Sequence, residues 1–131
     1  MNALAFHMIS DRSRPAARFS HAGEVDGRVM LTGQMPTDSA APDAPLPERA
    51  AAQAQRVMER LRGILQGAGL DQPNVVQMRA YSTEFDRDCA VLNGTYRSFF
   101  PPDRLPARTT IGVVGLADSA LVEIDCLTRR P

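Results

Sequence analysis

The chain has 131 residues, enough for one domain with a single hydrophobic core. Its 15 acidic residues balance 15 basic residues, all of them arginine, and the lack of lysine excludes a lysine Schiff base, a pyridoxal-phosphate enzyme and a P-loop lysine. Because the net charge is zero, no basic field is available to hold phosphate backbones, and we expect no nucleic-acid partner.

The cysteines and histidines do not indicate a disulfide or a metal site. Cys89 and Cys126 form no C-x-x-C motif and stand among apolar residues, so we expect both to be reduced and buried. Neither His7 nor His21 lies near a second candidate ligand at a known spacing, so we expect no metal. The N-terminal stretch has no basic segment before a long apolar run, and no stretch approaches a membrane span. We therefore expect a cytoplasmic protein without a membrane partner.

The first half of the chain predicts a hairpin followed by a long helix. In ARFSHAGEVDGRVMLTG (residues 17–33), the turn signal Asp26-Gly27 separates two strand-like runs. A loop rich in proline and alanine then precedes a helix that begins at Glu48. One side of this helix is apolar at steps of three and four residues, and we assign it to the core: Ala50, Ala54, Val57, Leu61, Ile64, Leu65 and Ala68.

The second half predicts a strand, a second helix and two final strands. The strand is NVVQMRAYS (residues 74–82), and the helix is DRDCAVLNGTYRSFF (residues 86–100). The last strands run from Ala107 to Val114 and from Ala120 to Thr128. This order, without repeats, predicts a single α+β domain over residues 1–131, in which two helices pack on one face of a single mixed β-sheet.

The last two strands leave the second face of the sheet mixed in character. We expect the helices to cover one side of the last strand, which holds Val122, Ile124 and Cys126. The opposite side holds Leu121, Glu123, Asp125 and Leu127. In the strand before it, the alternation predicts that Thr109, Ile111 and Val113 face the helices, and that the open side holds Arg108, Thr110, Gly112 and Val114. A monomer would leave the apolar residues of the open side in water, so self-association is predicted.

Four short motifs carry a resemblance to a known family. They are LTGQMP (residues 31–36), LNGTYRSFF (92–100), LPARTTIGVVGL (105–116) and LVEID (121–125). In this order and spacing they resemble the signatures of the Rid family, the reactive intermediate deaminases. The most specific feature is Pro-Ala-Arg before a strand, with a glutamate some fifteen residues later in the last strand.

The resemblance implies a chorismate-mutase-like fold and a homotrimer in which the sheets form a central barrel and clefts open between adjacent subunits. It implies hydrolysis of small carboxylated enamines and imines, of the 2-aminoacrylate and 2-iminopropionate type, to a 2-keto acid and ammonia. Members of the RidA type need no metal and no cofactor. The only partners implied are the small carboxylate substrate and two further copies of the chain.

The resemblance also implies roles for single residues. The family arginine that binds the substrate carboxylate corresponds to Arg108, and the glutamate that holds the attacking water corresponds to Glu123. A guanidinium offers two parallel donors to a carboxylate, and imine hydrolysis depends on positioning more than on a strong nucleophile. The implied substrate-binding positions are Phe19, Thr32, Gly33, Asn93 and Thr110.

Two positions depart from the family pattern and leave the substrate open. Many RidA proteins have a tyrosine where this chain has Phe19, and losing the hydroxyl removes one donor from the pocket wall. Several have a cysteine where this chain has Thr110. The Arg-Phe-x-His stretch (residues 18–21) and Pro-Ala-Arg-Thr-Thr (106–110) resemble the branch that includes 2-aminomuconate deaminases.

The residues alone leave other interpretations open. Arg108 could be a solvated charge at the end of a loop, and Glu123 could be an exposed strand residue or an ion-pair partner at an interface. The same cleft could hold a 2-keto acid as a regulator without turnover. An RNA-cleaving or translation-inhibiting activity has been attached to parts of the family, but the neutral charge and the lack of a histidine pair or a basic stripe argue against it.

Overall fold

The computed structural model describes residues 3–9 and 18–131; Ala17, where the predicted hairpin stretch begins, and part of the N-terminal stretch lie outside the described residues. Within those ranges the chain forms six β-strands and two α-helices. The strands are β1 (Ala5–His7), β2 (Ala22–Val25), β3 (Arg28–Gln34), β4 (Val75–Ser82), β5 (Ala107–Gly112) and β6 (Val122–Arg129). The helices are α1 (Ala50–Gly67) and α2 (Phe85–Ser98).

All the described strands belong to one mixed sheet, in the order β1-β2-β3-β6-β4-β5. β4 and β5 run parallel, and every other neighbouring pair is antiparallel. The parallel pair is possible because α2 connects β4 to β5 and returns the chain to the same end of the sheet. The predicted α+β architecture is confirmed.

The hairpin between β2 and β3 forms at the predicted turn. Asp26 and Gly27 both have positive φ angles, 53° and 73°. A two-residue turn with two positive φ angles matches the right-handed twist of the strands, and aspartate followed by glycine tolerates this conformation better than most pairs. The turn sets the register that pairs Ala22 with Leu31, so that both side chains enter the core.

Both helices cover the same face of the sheet, as predicted. The predicted apolar side of α1 is buried except for Ala68, which is partly exposed. Beneath it lie the alternate residues of β6, which occupy the middle of the sheet and are also buried: Val122, Ile124, Cys126 and Thr128. α2 adds Leu92 and Tyr96.

Several predicted bounds shift. α1 begins at Ala50 rather than Glu48, β5 ends at Gly112 rather than Val114, and β6 begins at Val122 rather than Ala120. β1 was not predicted, because its three residues become a strand only by pairing with β2 at the edge of the sheet. Cys126 is buried as expected, but Cys89 is only partly buried on α2; both are free thiols.

The predicted orientation of β5 is wrong. Parallel pairing sets Arg108 opposite Met78 and Thr110 opposite Ala80, and both β4 partners lie in the core under the helices. Arg108, Thr110 and Gly112 therefore face the helix side, and Thr109 and Ile111 face the open side. The prediction assumed that the apolar residues turn towards the helices, but β5 is an edge strand whose register is set by β4.

The open face of the sheet carries exposed apolar residues at one end. One cross-strand row joins Phe6, Gly23, Met30 and Leu127. Phe6 is 69% exposed and Met30 is 42% exposed. Ile111, at the other edge, is 43% exposed. Large apolar side chains gathered on one face are typical of a surface that a partner covers.

Candidate functional site

Arg108 lies at the outer edge of the sheet, on the side of the helices. Its guanidinium carbon is 4.8 Å from the centre of the Tyr96 ring of α2, a cation–π distance. In the described part of the chain, no carboxylate lies within ion-pair distance of this guanidinium. The side chain is exposed, so its donors remain available to a carboxylate from outside the chain.

Thr110 lies two residues along β5 from Arg108 and faces the same way. Arg108, Thr110 and Tyr96 line one cavity together, and we call these three residues the helix-side half-site. The cavity has a volume of about 10 Å³, which is room for one water molecule at most. Asn93 lies three residues before Tyr96 on α2 but does not line this cavity, and its side-chain amide lies 3.9 Å from the Cys89 sulfur. The half-site does not enclose a substrate by itself.

Glu123 lies on the open face of β6, as predicted, and covers a bulge in β3. Leu31 pairs with Cys126 and Gln34 with Ile124, so Thr32 and Gly33 together stand opposite one residue of β6. The Glu123 carboxylate lies against Gly33 so closely that any β-carbon there would collide with it. We call Thr32, Gly33 and Glu123 the open-face half-site.

The electrostatics around Glu123 favour its protonated form more than in water. Burial raises the pKa of Glu123, and the negative charge of Asp125, two residues along the same face, raises it further. Asp125 itself accepts two hydrogen bonds from Arg79, both 2.9 Å long, and one of 3.2 Å from the Tyr81 hydroxyl. A raised pKa makes a carboxylate a stronger base, which favours a role in general acid–base catalysis.

The bulge under Glu123 is held by Thr32 together with two residues, Gln34 and Arg60, that the sequence analysis did not single out. The Gln34 side chain donates to the Thr32 carbonyl at 3.0 Å and accepts two hydrogen bonds from the buried Arg60, at 3.2 and 3.3 Å. The Thr32 hydroxyl donates to the Ser20 carbonyl at 2.7 Å, so it supports the bulge. The signal for this support is Arg60 itself, a charged residue beside the apolar positions of α1.

Phe19 lies three residues before β2. It is 46% exposed, and its role as a pocket wall stays a prediction. Both histidines have structural partners. His7 is 2.8 Å from the Glu24 carboxylate, and His21 accepts a hydrogen bond from the Ile9 backbone. Among residues 3–9 and 18–131, no three His, Cys, Asp or Glu side chains are grouped as a metal site requires.

The two half-sites do not meet within one chain. Arg108 faces the helices and Glu123 faces the open side, with β4 between their strands. Arg108 pairs with Met78 of β4, and Glu123 pairs with Tyr81 of β4. The two side chains are therefore also three residues apart along the strand direction. Strand geometry gives about 10 Å across the sheet and about 10 Å along it. A single subunit therefore presents two incomplete sites.

The sequence and the fold of this chain match one family of α+β domains. A family profile described as Endoribonuclease L-PSP matches residues 9–129, and the chain belongs to that family, the Rid family of the sequence motifs. Protein DfrA of Myxococcus xanthus is 37% identical over 131 residues, which cover 97% of this chain and 98% of that protein. A 2-iminobutanoate/2-iminopropanoate deaminase of Escherichia coli K12 is 29% identical over 93% of this chain and 96% of its own length.

A solved structure of a RidA protein has the same fold. The crystal structure of RidA from the Antarctic bacterium Psychrobacter sp. PAMC 21119 superimposes with a TM-score of 0.86 at 26% identity, covering 95% of this chain and 98% of that one. No helix in the described ranges is both long and apolar enough to cross a membrane.

Proposed function

We propose that the protein hydrolyses small carboxylated enamines and imines to a 2-keto acid and ammonia, in clefts between the subunits of a homotrimer. The observation that carries this proposal is the division of the site. Arg108 is a guanidinium without a carboxylate partner in the described chain, and Glu123 is a half-buried carboxyl group on the opposite face of the sheet. A second copy of the chain can supply the missing half.

The open face supports assembly of this kind. The edge of β5 and the open face are different surfaces of the molecule, so contact between them is a head-to-tail interface. Three such contacts close a ring. In that ring the exposed Phe6, Met30 and Ile111 are removed from water, and each Arg108 lies beside the Glu123 of a neighbour. The deaminase names of the relatives support the same reaction class.

In the proposed reaction Arg108 binds the substrate carboxylate with two parallel N–H donors. Glu123 of the neighbouring subunit accepts a proton from water while the water oxygen attacks the imine carbon, and it passes this proton to the imine nitrogen. Glu123 then accepts the proton of the new hydroxyl group and passes it to the departing nitrogen, while the carbon–nitrogen bond breaks, the carbonyl forms and ammonia leaves. An enamine first becomes the imine by taking a proton at its terminal carbon and releasing one from its nitrogen. The balance is imine and water to 2-keto acid and ammonia, without redox change.

A coupled assay tests the reaction. A dehydratase generates 2-aminoacrylate in situ, and the decay of the derived imine is followed with and without this protein, with an extended imino acid of the 2-aminomuconate type assayed in parallel. We expect faster decay with the wild type and a loss of the acceleration in Arg108→Ala and in Glu123→Gln. Binding of a 2-keto acid without any acceleration would indicate a regulator, and the absence of both would overturn the proposal.

Mixed trimers test whether the site is shared between subunits. Arg108→Ala and Glu123→Gln subunits are unfolded together and refolded as a mixture. In a three-membered ring with random composition, about a quarter of the clefts recover both residues, so activity returns to about a quarter of the wild-type value. If both residues acted within one chain, the mixture would stay as inactive as its parents. Sedimentation equilibrium measures the oligomeric state, and a stable monomer would contradict the shared site.

A further inference from the structure

Tyr96 makes two contacts that converge on the start of β5 and a third contact in the core. Its ring centre is 4.8 Å from the Arg108 guanidinium carbon. Its hydroxyl donates a hydrogen bond of 3.2 Å to the carbonyl oxygen of Pro106, two residues before Arg108. On the core side its ring packs against Phe100, with the ring centres 5.1 Å apart and the planes tilted by 48°. One side chain thus contacts both the guanidinium and the backbone that carries it.

The anchoring of Tyr96 differs sharply from that of Arg108. Tyr96 is 8% exposed on α2 and belongs to the hydrophobic core, so its ring has a fixed position. Arg108 is an exposed residue on an edge strand, and in the described chain no acidic side chain holds its guanidinium. An arginine side chain in water samples many rotamers, so the ring face determines where the guanidinium lies.

The hydroxyl of Tyr96 stays a donor over the whole physiological range. Burial raises the pKa of Tyr96, an effect larger than the opposing influence of the Arg108 charge. The neutral hydroxyl therefore keeps its hydrogen bond to Pro106. Because proline also restricts the backbone at that point, the chain enters β5 in one conformation, which sets the origin of the Arg108 side chain.

We propose that Tyr96 is a positioning residue for carboxylate recognition: its ring face and its hydroxyl together orient the Arg108 guanidinium before the substrate arrives. This inference rests on the proposed function of Arg108. An oriented guanidinium loses less conformational freedom when it binds a carboxylate than a freely rotating guanidinium does. Tyr96 does not touch the reacting atoms, so it acts on substrate affinity rather than on the chemical step.

Three variants separate the contributions. Tyr96→Leu removes ring and hydroxyl, and we expect KM to rise by about tenfold with kcat nearly unchanged, since the loss affects ground and transition state alike. Tyr96→Phe keeps the ring face, and we expect it to recover most of the lost affinity. Phe100→Leu is the matched control: it removes the neighbouring core aromatic without touching Arg108. This control should lower thermal stability and leave KM close to wild type.

A double-mutant cycle decides whether Tyr96 acts through Arg108. The fold-change in kcat/KM caused by Tyr96→Leu is measured in the wild type and in an Arg108→Ala background. We expect about tenfold in the first and almost none in the second, because the group to be oriented is gone. An equal loss in both backgrounds would show that Tyr96 only packs, and would overturn the inference.

A spectroscopic readout keeps this test separate from the proposed function. The Arg108 Nε–H signal in protein labelled with ¹⁵N-arginine should be displaced by the Tyr96 ring current and should show restricted motion. In Tyr96→Leu we expect loss of both properties, and in Phe100→Leu their retention. A mobile, undisplaced signal in the wild type overturns the positioning role. If the wild type neither hydrolyses imines nor binds pyruvate, the proposed function fails, while this signal still reports on Tyr96.

Discussion

Arg79 and Arg108 occupy neighbouring strands, one register position apart, and have opposite surroundings. Arg79 pairs with Thr109 across β4 and β5, and Arg108 pairs with Met78. Arg79 faces the open side and binds both oxygens of Asp125, each at 2.9 Å. Arg108 faces the helix side, rests on an aromatic ring and has no carboxylate partner in the described chain.

The comparison distinguishes a guanidinium that is already satisfied from one that is available. The guanidinium of Arg79 donates two hydrogen bonds to a carboxylate of its own chain, and this hydrogen bonding raises the pKa of Arg79. The guanidinium of Arg108 lies 4.8 Å from the centre of the Tyr96 ring, and an aromatic ring does not occupy it with a carboxylate. Only the second arrangement can take up a carboxylate from solution without first breaking an ion pair.

The largest expected difference is in turnover. Arg108→Ala should cost on the order of 2–4 kcal/mol in kcat/KM, as for a charged hydrogen-bonded pair in a partly desolvated site. Arg108→Lys should still lose most of the activity, because an ammonium group cannot offer two parallel N–H donors to a carboxylate. Thermal stability should stay near wild type in both variants, because an exposed edge residue contributes little to the core. Full activity in Arg108→Ala would remove the distinction between the two arginines.

The control for that prediction is Arg79→Ala. It breaks an exposed ion pair, so we expect a stability loss within about 1 kcal/mol and a much smaller effect on the affinity for the carboxylate substrate. Imine turnover and thermal melting of the two alanine variants are compared side by side. Equal losses of turnover would mean that the position of a guanidinium on this sheet does not matter.

Gly33→Ala should have the next largest effect. Its added methyl group would meet the Glu123 carboxylate, which must then move away from the bulge. We expect kcat to fall by about tenfold while affinity for a 2-keto acid is kept, since Arg108 lies in the other half-site. Gly115→Ala is the matched control, because no atom of the described residues, apart from its two chain neighbours, lies within 4 Å of a β-carbon added there. A kcat unaffected by Gly33→Ala would separate Glu123 from the chemistry.

The limits of sequence-based prediction are visible in β5. The alternation of residues 107–112 correctly divides them into two sets, but it does not tell which set faces the helices. That choice depends on the parallel register with β4, a long-range pairing that no local pattern encodes. The prediction turned Ile111 inward because it is apolar. At an edge strand an apolar residue can instead face a second subunit.

Other parts were predictable because their causes are local. The Asp26-Gly27 turn and the apolar side of α1 depend on backbone conformation and helical spacing, and both are confirmed. The motif LTGQ carried Thr32 and Gly33 as substrate-binding positions, but it predicted neither the bulge at these residues nor its support by Arg60, since that contact joins residues 26 positions apart. Tyr96 lies in the core, and its contact with Arg108 appears only once α2 is placed beside β5.

A smaller effect concerns the pH dependence of turnover. The rising limb of the pH profile should follow Glu123, whose pKa is raised by burial and by Asp125. Activity needs the ionised carboxylate, so it rises as pH passes upward through this pKa. Asp125→Asn removes the neighbouring negative charge, lowers the pKa of Glu123 and moves the limb to lower pH. Arg79→Ala breaks the same ion pair but leaves the Asp125 charge, so the rising limb of its pH profile should not move to lower pH. An identical shift in both variants would exclude the Asp125 charge as the cause.

A third arginine, Arg130, is bound by a carboxylate of its own chain, as Arg79 is. Removing this ion pair should have the smallest effect on turnover. Arg130 donates to Glu24 at 2.7 and 2.9 Å, and His7 approaches the same carboxylate at 2.8 Å. These contacts lower the pKa of Glu24 from its ordinary value of 4.5 to about 2. Because the folded-state pKa is depressed, the stabilisation is complete above the unfolded value and is lost as pH falls from about 4.5 towards 2.

Glu24→Gln should therefore leave turnover at neutral pH unchanged and flatten the dependence of thermal stability on acid pH. The amide can still accept hydrogen bonds from Arg130 and His7, but it does not titrate. Thermal melting midpoints are recorded from pH 6 down to about pH 3 for the wild type, for Glu24→Gln and for the control Glu48→Gln, an exposed glutamate at the surface. The gap between the wild type and Glu24→Gln should narrow as the solution becomes more acidic, while Glu48→Gln follows the wild type. If the melting midpoints of Glu24→Gln follow those of the wild type throughout, the Glu24–Arg130 pair does not contribute to stability. An arginine that is hydrogen-bonded to a carboxylate of its own chain would then not by itself have a structural role.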